Sequence, residues 1–212
     1  MEAVATACEN GQVEGPIRWL AYTVESESLM REIIDATTRI SDLVGAAKQY
    51  SQLDRAPFRF VDVHEGLDAT LVMFGRKLGE GSGVKIVKDY DRSLPQIPAY
   101  PAELNQVWTN IIENAIDAMD ANGTLRISTR ASAGHVIVEI ADTGPGMPAE
   151  VQARAFEAFY TTKDVGKGTG LGLDIARRIV VERHGGLIDI DSPAHEGKGT
   201  VMRVSLPRKP RG

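Results

Sequence analysis

Two asparagines and two acidic residues share one face of a predicted amphipathic helix in the stretch NIIENAIDAMDANG, residues 110–123. They are Asn110, Glu113, Asn114 and Asp117. Because a helix turns by about 100° per residue, this spacing places all four within roughly one quadrant. The opposite side carries an apolar stripe that would face a core: Trp108, Ile111, Ile112, Ala115 and Met119. Asparagine is a poor helix former, so two of them one turn apart indicate a polar partner, either a bound ligand or a neighbouring loop.

Two glycine-rich segments could bind other parts of such a ligand. DTGPGM, residues 142–147, follows a predicted strand, so Asp142 would be a fixed hydrogen-bond acceptor beside backbone that can approach a flat ligand closely. GKGTGLGL, residues 166–173, leads straight into a predicted helix. Closely spaced glycines at a helix N-terminus expose backbone N–H groups and the positive end of the helix dipole, which is the chemistry of a phosphate cradle.

Each of these motifs has an ordinary structural explanation when it is taken alone. DTGPG is more often a turn than a ligand site, and the asparagines could bond a neighbouring loop. GKGTGLGL is not a Walker loop, since no G-x-x-x-x-G-K-[ST] occurs, and it does not follow a strand as a dinucleotide fingerprint does. The occurrence of all three features in this order favours one ligand site over three coincidences.

The composition is that of a soluble globular protein. The 212 residues are 42% hydrophobic and 25% charged, which suits one large domain or a domain with an appendage. The net charge of −5 argues against broad electrostatic binding to nucleic acid or anionic membrane. The single cysteine, Cys8, excludes an internal disulfide and fits a reducing cytosol. No apolar run approaches the roughly 20 residues that span a bilayer, so we expect a cytoplasmic protein without a membrane segment in this chain.

The N-terminal part, residues 1–56, is predicted to be a separate helical segment. Pro16 can occupy the first turn of a helix, and the next proline is Pro57. Apolar positions recur in steps of three and four, as in a heptad seam: Met30, Ile33, Thr37, Ile40, Val44 and Ala47. Such a seam could pack on the chain's own domain, but its length of about three heptads favours pairing with other helices.

The remaining residues, 57–212, mix strands and helices without regular alternation, which predicts an α+β fold. Helices are expected from Asp62 to about Leu78, from Pro101 through the asparagine motif, and from about Leu171 to His184. The predicted strands are FRFVDV, VKIVKDY, TLRISTR, HVIVEIAD, LIDIDS and GTVMRVSLP. LPQIPAYP is predicted to be a loop, and a glycine-rich segment of about 25 residues separates HVIVEIA from the last helix.

Four motifs in order, ELNQVWTNIIENAIDAM, ADTGPGM, FEAFYTTK and GKGTGLGL, resemble the N, G1, F and G2 boxes of the ATP-binding domain of sensor histidine kinases. The resemblance covers roughly residues 58–207. It implies the Bergerat fold of the GHKL superfamily, a two-layer α/β sandwich with a mixed sheet and helices on one face. It also implies that ATP and Mg²⁺ bind between the helices and a mobile lid.

The resemblance also implies a role for each matching residue. Asn114 would coordinate Mg²⁺ through its carboxamide oxygen, with Asn110 supporting the metal–phosphate arrangement. Asp142 would accept a hydrogen bond from the adenine amino group, supported by Thr200. Lys163 would reach the phosphates. The other implied ATP-binding residues are Asp117, Gly144, Gly146, Thr162, Gly168, Thr169, Gly170, Leu171 and Gly172.

Asn110 occupies the position at which the kinases and the hydrolysing ATPases of the GHKL superfamily differ. In the related ATPases of the gyrase, Hsp90 and mismatch-repair type, a glutamate one turn before the metal-binding asparagine acts as a general base for water. Asn110 is a carboxamide that cannot take a proton, so the resemblance points to phosphoryl transfer onto a protein group. Glu113 resembles the acidic residue that polarises the acceptor imidazole in the kinases. The implied catalytic residues are therefore Asn110, Glu113 and Lys163.

None of the four histidines has the sequence context of a phosphoacceptor, which is His-Glu followed shortly by Asn-Pro or Thr-Pro. His64 precedes Glu65 but lacks the proline. The acceptor is therefore expected upstream or on another chain, and the N-terminal helix would be the second helix of a dimerisation hairpin. The resemblance implies a homodimer through these helices and relay to an aspartate on a response regulator receiver domain. Two alternatives stay open: a GHKL-type ATPase, and a nucleotide-binding regulatory module without kinase activity.

Overall fold

A computed structural model of the chain describes residues 14–52, 58–78, 83–120, 122–163, 168–194 and 198–209. The chain divides into two compact units, one from residues 1–47 with 163–168 and the other from residues 48–162 with 169–212. The second unit holds the sheets and their helices. The predicted domain boundary between residues 56 and 57 stays a prediction.

The long N-terminal helix, α1, spans Glu14–Gln52 without a break. At 1.5 Å per residue it is about 60 Å long. Its described large apolar side chains are all more than half exposed in this single chain: Ile17, Trp19, Leu20, Tyr22, Val24, Leu29, Met30, Ile33 and Ile34. The seam residues Ile40, Val44 and Ala47 lie outside the residues whose side chains are described. Among the described residues, no helix is both long enough and apolar enough to cross a membrane.

The second unit is built on a mixed five-stranded sheet in the order β2-β4-β5-β7-β6. Its strands are β2, Gly83–Tyr90; β4, Asn122–Ser132; β5, His135–Asp142; β6, Leu187–Asp191; and β7, Thr200–Pro207. β2 pairs with β4 in parallel, and the other pairs are antiparallel. Two short strands, β1, Arg59–Val61, and β3, Ile97–Ala99, form a separate antiparallel pair. The predicted α+β sandwich with a mixed sheet is confirmed.

Helices cover one face of this sheet. They are α2, Val63–Met73; α3, Gly75–Leu78; α4, Pro101–Ala118; and α6, Gly172–Arg178, which continues as a π-helical turn, Ile179–Arg183. A further short helix, α5, Ala149–Arg154, buries none of its residues. α4 buries the predicted apolar stripe, including Trp108 and Ile112, each 0% exposed. β7 alternates buried and half-buried residues, as a strand with one covered face does. Its other face carries polar groups, such as Arg203, whose Nε lies 2.7 Å from the Oε1 atom of Glu139.

Three elements differ from the sequence prediction. The helix that Asp62 caps, through a 2.9 Å bond from the His64 N–H, breaks at Phe74 and resumes as α3. The segment predicted to be the loop LPQIPAYP contains β3, although Pro98 lies in that strand. Proline is tolerated there because, in the part of the chain that the structure describes, β3 pairs with β1 alone and so lies at an edge. The last helix ends in a π turn, where the His184 N–H bonds the Ile179 carbonyl at 3.2 Å.

A buried polar cluster joins the start of α4 to this π turn. Glu103 is 0% exposed and accepts three bonds from the Arg183 guanidinium, the shortest at 2.9 Å. His184 donates from Nδ1 to the Ile179 carbonyl at 2.9 Å and accepts the Tyr100 N–H at Nε2, at 3.0 Å. This pair of bonds requires the neutral imidazole, because a proton on Nε2 would face the Tyr100 donor.

We therefore expect stability to depend on the charge of His184. Burial lowers the pKa of His184 below its usual value of 6.5, outweighing the opposite effects of the Ile179 carbonyl and Glu103. A depressed folded-state pKa gives stability that is present above pH 6.5 and is lost as the pH falls through the folded-state value. In a His184→Gln variant the free energy of unfolding should fall by about 1–2 kcal/mol at pH 7.5. Between pH 7.5 and 5.5 the free energy of unfolding, measured with urea, should decrease less in the variant than in the wild type. An equal decrease would contradict the neutral state of His184 in the fold.

Candidate functional site

Asp142 lies at the end of β5, where the strand enters the DTGPGM turn. Its carboxylate accepts the Gly144 N–H at 2.8 Å, and β5 pairs it with Thr200 at the start of β7. Asp142 is 6% exposed and Thr200 is 3% exposed. Burial raises the pKa of Asp142, while hydrogen bonds from the backbone of Gly144 and Thr200 act in the opposite direction. The predicted adenine-binding pair is thus brought together, with a buried carboxylate as its acceptor.

The DTGPGM turn packs against the C-terminal end of α4. A Cβ atom on Gly144 would lie 3.0 Å from the Ala118 carbonyl oxygen, so only glycine fits without a shift. The Thr143 hydroxyl accepts the Thr124 N–H at 2.9 Å, which ties the same turn to β4. Gly146 has a φ of +80°, a conformation that favours glycine. The turn is therefore held on both sides by backbone.

The polar residues Asn110, Glu113, Asn114 and Asp117 all lie on α4. Asn110, Glu113 and Asn114 are half-buried, and Asp117 is exposed. A Cβ atom on Gly172 would lie 3.5 Å from the Asn110 Oδ1 atom, so Asn110 adjoins the first residue of α6. The Asn110 Nδ2 atom is buried and has no hydrogen-bond partner in the described part of the chain. An orphaned amide beside a glycine-rich helix start marks a place for a polar ligand.

The F motif and the second glycine-rich segment meet at one backbone contact. The Phe159 N–H donates to the Gly170 carbonyl at 2.9 Å. Gly170 has a φ of +67°, and a Cβ atom on it would lie 2.4 Å from the Phe159 carbonyl carbon. Phe159 itself has a φ of +67° and is 67% exposed. A bulky residue held in this conformation is strained, which is typical of functional sites.

The remaining predicted residues are placed in different ways. Thr169 and Leu171 lie directly before α6, with the Leu171 N–H 3.3 Å from the Thr169 hydroxyl. Thr162 is exposed. Lys163 and Gly168 belong to the first compact unit. Their roles at the phosphates stay predictions.

Sequence reasoning missed Ser192, a 9% exposed residue that follows β6. Its hydroxyl accepts the Met147 N–H at 2.7 Å and lies 3.1 Å from the Thr200 hydroxyl. Gln152 on α5 donates to the Met147 carbonyl at 2.8 Å and also to the Ser192 carbonyl. Neither residue has a signal in the sequence that separates it from other polar residues near a turn.

Comparison with known proteins matches this arrangement to one family. Residues 99–210 match the family described as histidine kinase-, DNA gyrase B-, and HSP90-like ATPase. The sensory histidine kinase/phosphatase NtrB of Rhodobacter capsulatus is 33% identical over 192 residues, covering 84% of this chain and 52% of NtrB. Sensor kinase CckA of Brucella abortus is 34% identical over 185 residues, covering 80% of this chain and 19% of CckA. The chain thus spans about half the length of NtrB and about a fifth of CckA.

Solved structures share the fold. The nucleotide-free catalytic domain of histidine kinase ThkA has a TM-score of 0.65 and 29% identity, covering 72% of this chain and 96% of that one. ThkA in complex with the response regulator protein TrrA has a TM-score of 0.68 at 24% identity, covering 97% of this chain and 61% of that one. The family match, which includes Asn110, Asp142, Gly170 and Thr200, extends over more than half of the sequence. The chain belongs to the histidine kinase-, DNA gyrase B- and HSP90-like ATPase family.

Proposed function

We propose that this chain is the catalytic ATP-binding portion of a two-component sensor histidine kinase. It would transfer the γ-phosphoryl group of Mg·ATP to a histidine that lies upstream or on another polypeptide. The observation that carries the proposal is Asn110, a carboxamide with a buried, unpartnered Nδ2 atom in the described part of the chain, set beside the start of α6. The sensor kinases among the relatives, NtrB and CckA, support the same function.

The nucleotide would lie with its base at Asp142 and its phosphates towards α6. Asp142 is a buried acceptor at the start of the DTGPGM turn, which suits the amino edge of adenine. The N-terminus of α6 follows Thr169, Gly170 and Leu171 directly, so its backbone N–H groups can bind phosphate oxygens.

The residues on α4 fit a Mg²⁺ ion that is held mainly by the nucleotide. Among the described residues, no three His, Cys, Asp or Glu side chains cluster so as to hold a metal. The oxygen donors that α4 offers instead are the carboxamide of Asn114, the carboxamide of Asn110 and the carboxylate of Asp117. Few protein oxygens and several phosphate oxygens are the usual environment of Mg²⁺, which would neutralise charge on the phosphates.

Transfer rather than hydrolysis follows from the chemistry of residue 110. In the transfer step a nitrogen lone pair of the acceptor imidazole forms the new P–N bond, and the bond from the γ-phosphorus to the bridging oxygen breaks to release ADP. A water molecule would need a base to remove its proton, and the Asn110 carboxamide cannot serve as one. Glu113, half-buried on the same helix, is proposed to polarise the acceptor imidazole through its N–H.

The described histidines are engaged elsewhere. His64 is 2% exposed, and its ring nitrogens lie 2.7 Å from the Asp62 carboxylate and 2.9 Å from the Thr129 hydroxyl. His184 uses both ring nitrogens in the buried cluster. His135 begins β5, where its Nδ1 atom lies 3.2 Å from the Ala133 carbonyl oxygen. This supports an acceptor outside the described residues.

The partners follow from the same proposal. The complex of ThkA with TrrA supports a response regulator receiver domain as the protein that takes the phosphoryl group from the acceptor. The exposed apolar side chains of α1 support a homodimer through the N-terminal helices. We propose that the kinase portion works in the cytoplasm, where ATP and response regulators are found.

The test is to incubate the chain with γ-labelled Mg·ATP and follow protein-bound label, released phosphate and thermal unfolding together. We expect ATP at 100 times its Kd to add about 2.7 kcal/mol to the free energy of unfolding. We also expect no protein-bound label and little released phosphate. An Asn114→Ala variant should lose the effect of Mg·ATP on unfolding. Steady phosphate release that depends on Asn114 would favour the ATPase instead. An unfolding temperature that does not change when ATP is added would refute nucleotide binding.

A further inference from the structure

The Ser192 hydroxyl connects three parts of the proposed base-binding region. It bonds the Met147 N–H of the DTGPGM turn at 2.7 Å, the Gly199 carbonyl at 3.0 Å and the Thr200 hydroxyl at 3.1 Å. The Gly199 N–H in turn donates to the Gly144 carbonyl at 2.8 Å. Ser192 therefore contacts Thr200, one of the two residues that would meet the base.

The protons of this group can be assigned from its partners. A serine hydroxyl has one proton. The Met147 N–H is a donor, so Ser192 accepts there. The Gly199 carbonyl is an acceptor, and two oxygens 3.0 Å apart repel each other unless a proton lies between them, so Ser192 donates there. The contact with Thr200 must then use the Thr200 proton, and Ser192 accepts it.

This assignment determines what Thr200 can offer to a ligand. With its proton directed at Ser192, the Thr200 hydroxyl presents only lone pairs. The neighbouring Asp142 carboxylate is also an acceptor. Both side chains therefore favour a base edge that donates hydrogen bonds, such as the amino group of a 6-aminopurine, and disfavour the carbonyl of a 6-oxopurine.

We propose that Ser192 is a specificity-determining positioning residue, which selects 6-aminopurine over 6-oxopurine nucleotides by holding the Thr200 proton away from the base. The inference rests on the proposed nucleotide-binding function. Ser192 acts through Thr200 and does not touch the base. A site of this kind discriminates strongly because the wrong base leaves buried polar groups unpaired.

The experiment compares the affinities for ATP and inosine triphosphate, with Mg²⁺, by isothermal titration calorimetry. In Ser192→Ala the freed Thr200 hydroxyl can turn its proton to the 6-oxo group, so the preference for ATP should fall by about tenfold. Ser192→Thr keeps a hydroxyl and should keep most of the preference. Ser205→Ala is the matched control, since Ser205 lies on β7 but at a position facing away from the buried side.

A double-mutant cycle separates specificity from a structural role. Thr200→Val should lower the preference by itself, and Ser192→Ala should then change it no further. If Ser192→Ala weakens both nucleotides equally, Ser192 only supports the fold, and the inference fails while the proposed function stands. If Ser192→Ala does not fold, an unchanged preference in Thr200→Val would also overturn it. Failure of the wild type to bind either nucleotide would refute the proposed function itself.

Discussion

Replacing Asp142 by asparagine should weaken ATP binding by about 100-fold, because a buried charge-assisted hydrogen bond is lost. The carboxylate is 6% exposed and accepts the Gly144 N–H at 2.8 Å. Asparagine can keep that bond through its oxygen, but its NH₂ group then faces the amino group of the base. Two donors in contact at a buried position are more costly than an empty acceptor.

The loss should arise in binding and not in folding. Burial raises the pKa of Asp142, so its folded state holds a proton more tightly than its unfolded state does. The charge on Asp142 therefore does not stabilise the fold at neutral pH, and the asparagine variant should stay folded. Calorimetric titration with Mg·ATP measures the loss. Asp189→Asn, which removes an exposed carboxylate from β6, is the control. Equal ATP affinities for Asp142→Asn and the wild type would show that the base does not bind there.

The parts of the fold that the sequence predicts well are those with local periodicity. α4 combines an apolar stripe with proline in its first turn, and both features act within the helix itself. The central strands β4, β5 and β7 are long and rich in Val, Ile and Thr, so their existence follows from local sequence alone. The order of the strands in the sheet does not follow in this way, because pairing depends on contacts between residues distant in the chain.

The candidate site likewise contains residues that local sequence predicts and residues that depend on contacts between distant segments. Asp142 and the glycines that follow it could be predicted as site residues from the sequence, because their residue types are unusual after a strand. Ser192 could not be predicted, because its position is set by contacts such as the bond from the Met147 N–H, 45 residues away in the sequence. The contact between Phe159 and Gly170 is another example, since the left-handed conformation of Phe159 contradicts the preference of its own side chain. Local propensity is overridden where segments meet to form a site.

Gly170→Ala should cause the second large effect, a decrease of about 3 kcal/mol in the free energy of unfolding together with a loss of ATP affinity of more than about tenfold. An added Cβ atom would lie 2.4 Å from the Phe159 carbonyl carbon and 2.7 Å from its oxygen. These neighbours are backbone atoms that cannot rotate away, so the two segments must separate. The bond from the Phe159 N–H to the Gly170 carbonyl, 2.9 Å long, would be lost with them.

Gly134→Ala isolates the steric part of this effect. Gly134 has a φ of +85°, and no atom of the described residues, its chain neighbours aside, lies within 4 Å of the position that its Cβ would take. Both substitutions therefore cost the left-handed backbone conformation, about 1 kcal/mol, but only Gly170→Ala adds a collision. Urea unfolding and Mg·ATP titration of the two variants should show a small loss of stability with normal ATP binding for Gly134→Ala, and a large loss of both for Gly170→Ala. Matching losses would mean that conformation alone matters at Gly170, and that the contact with Phe159 does not shape the phosphate end of the site.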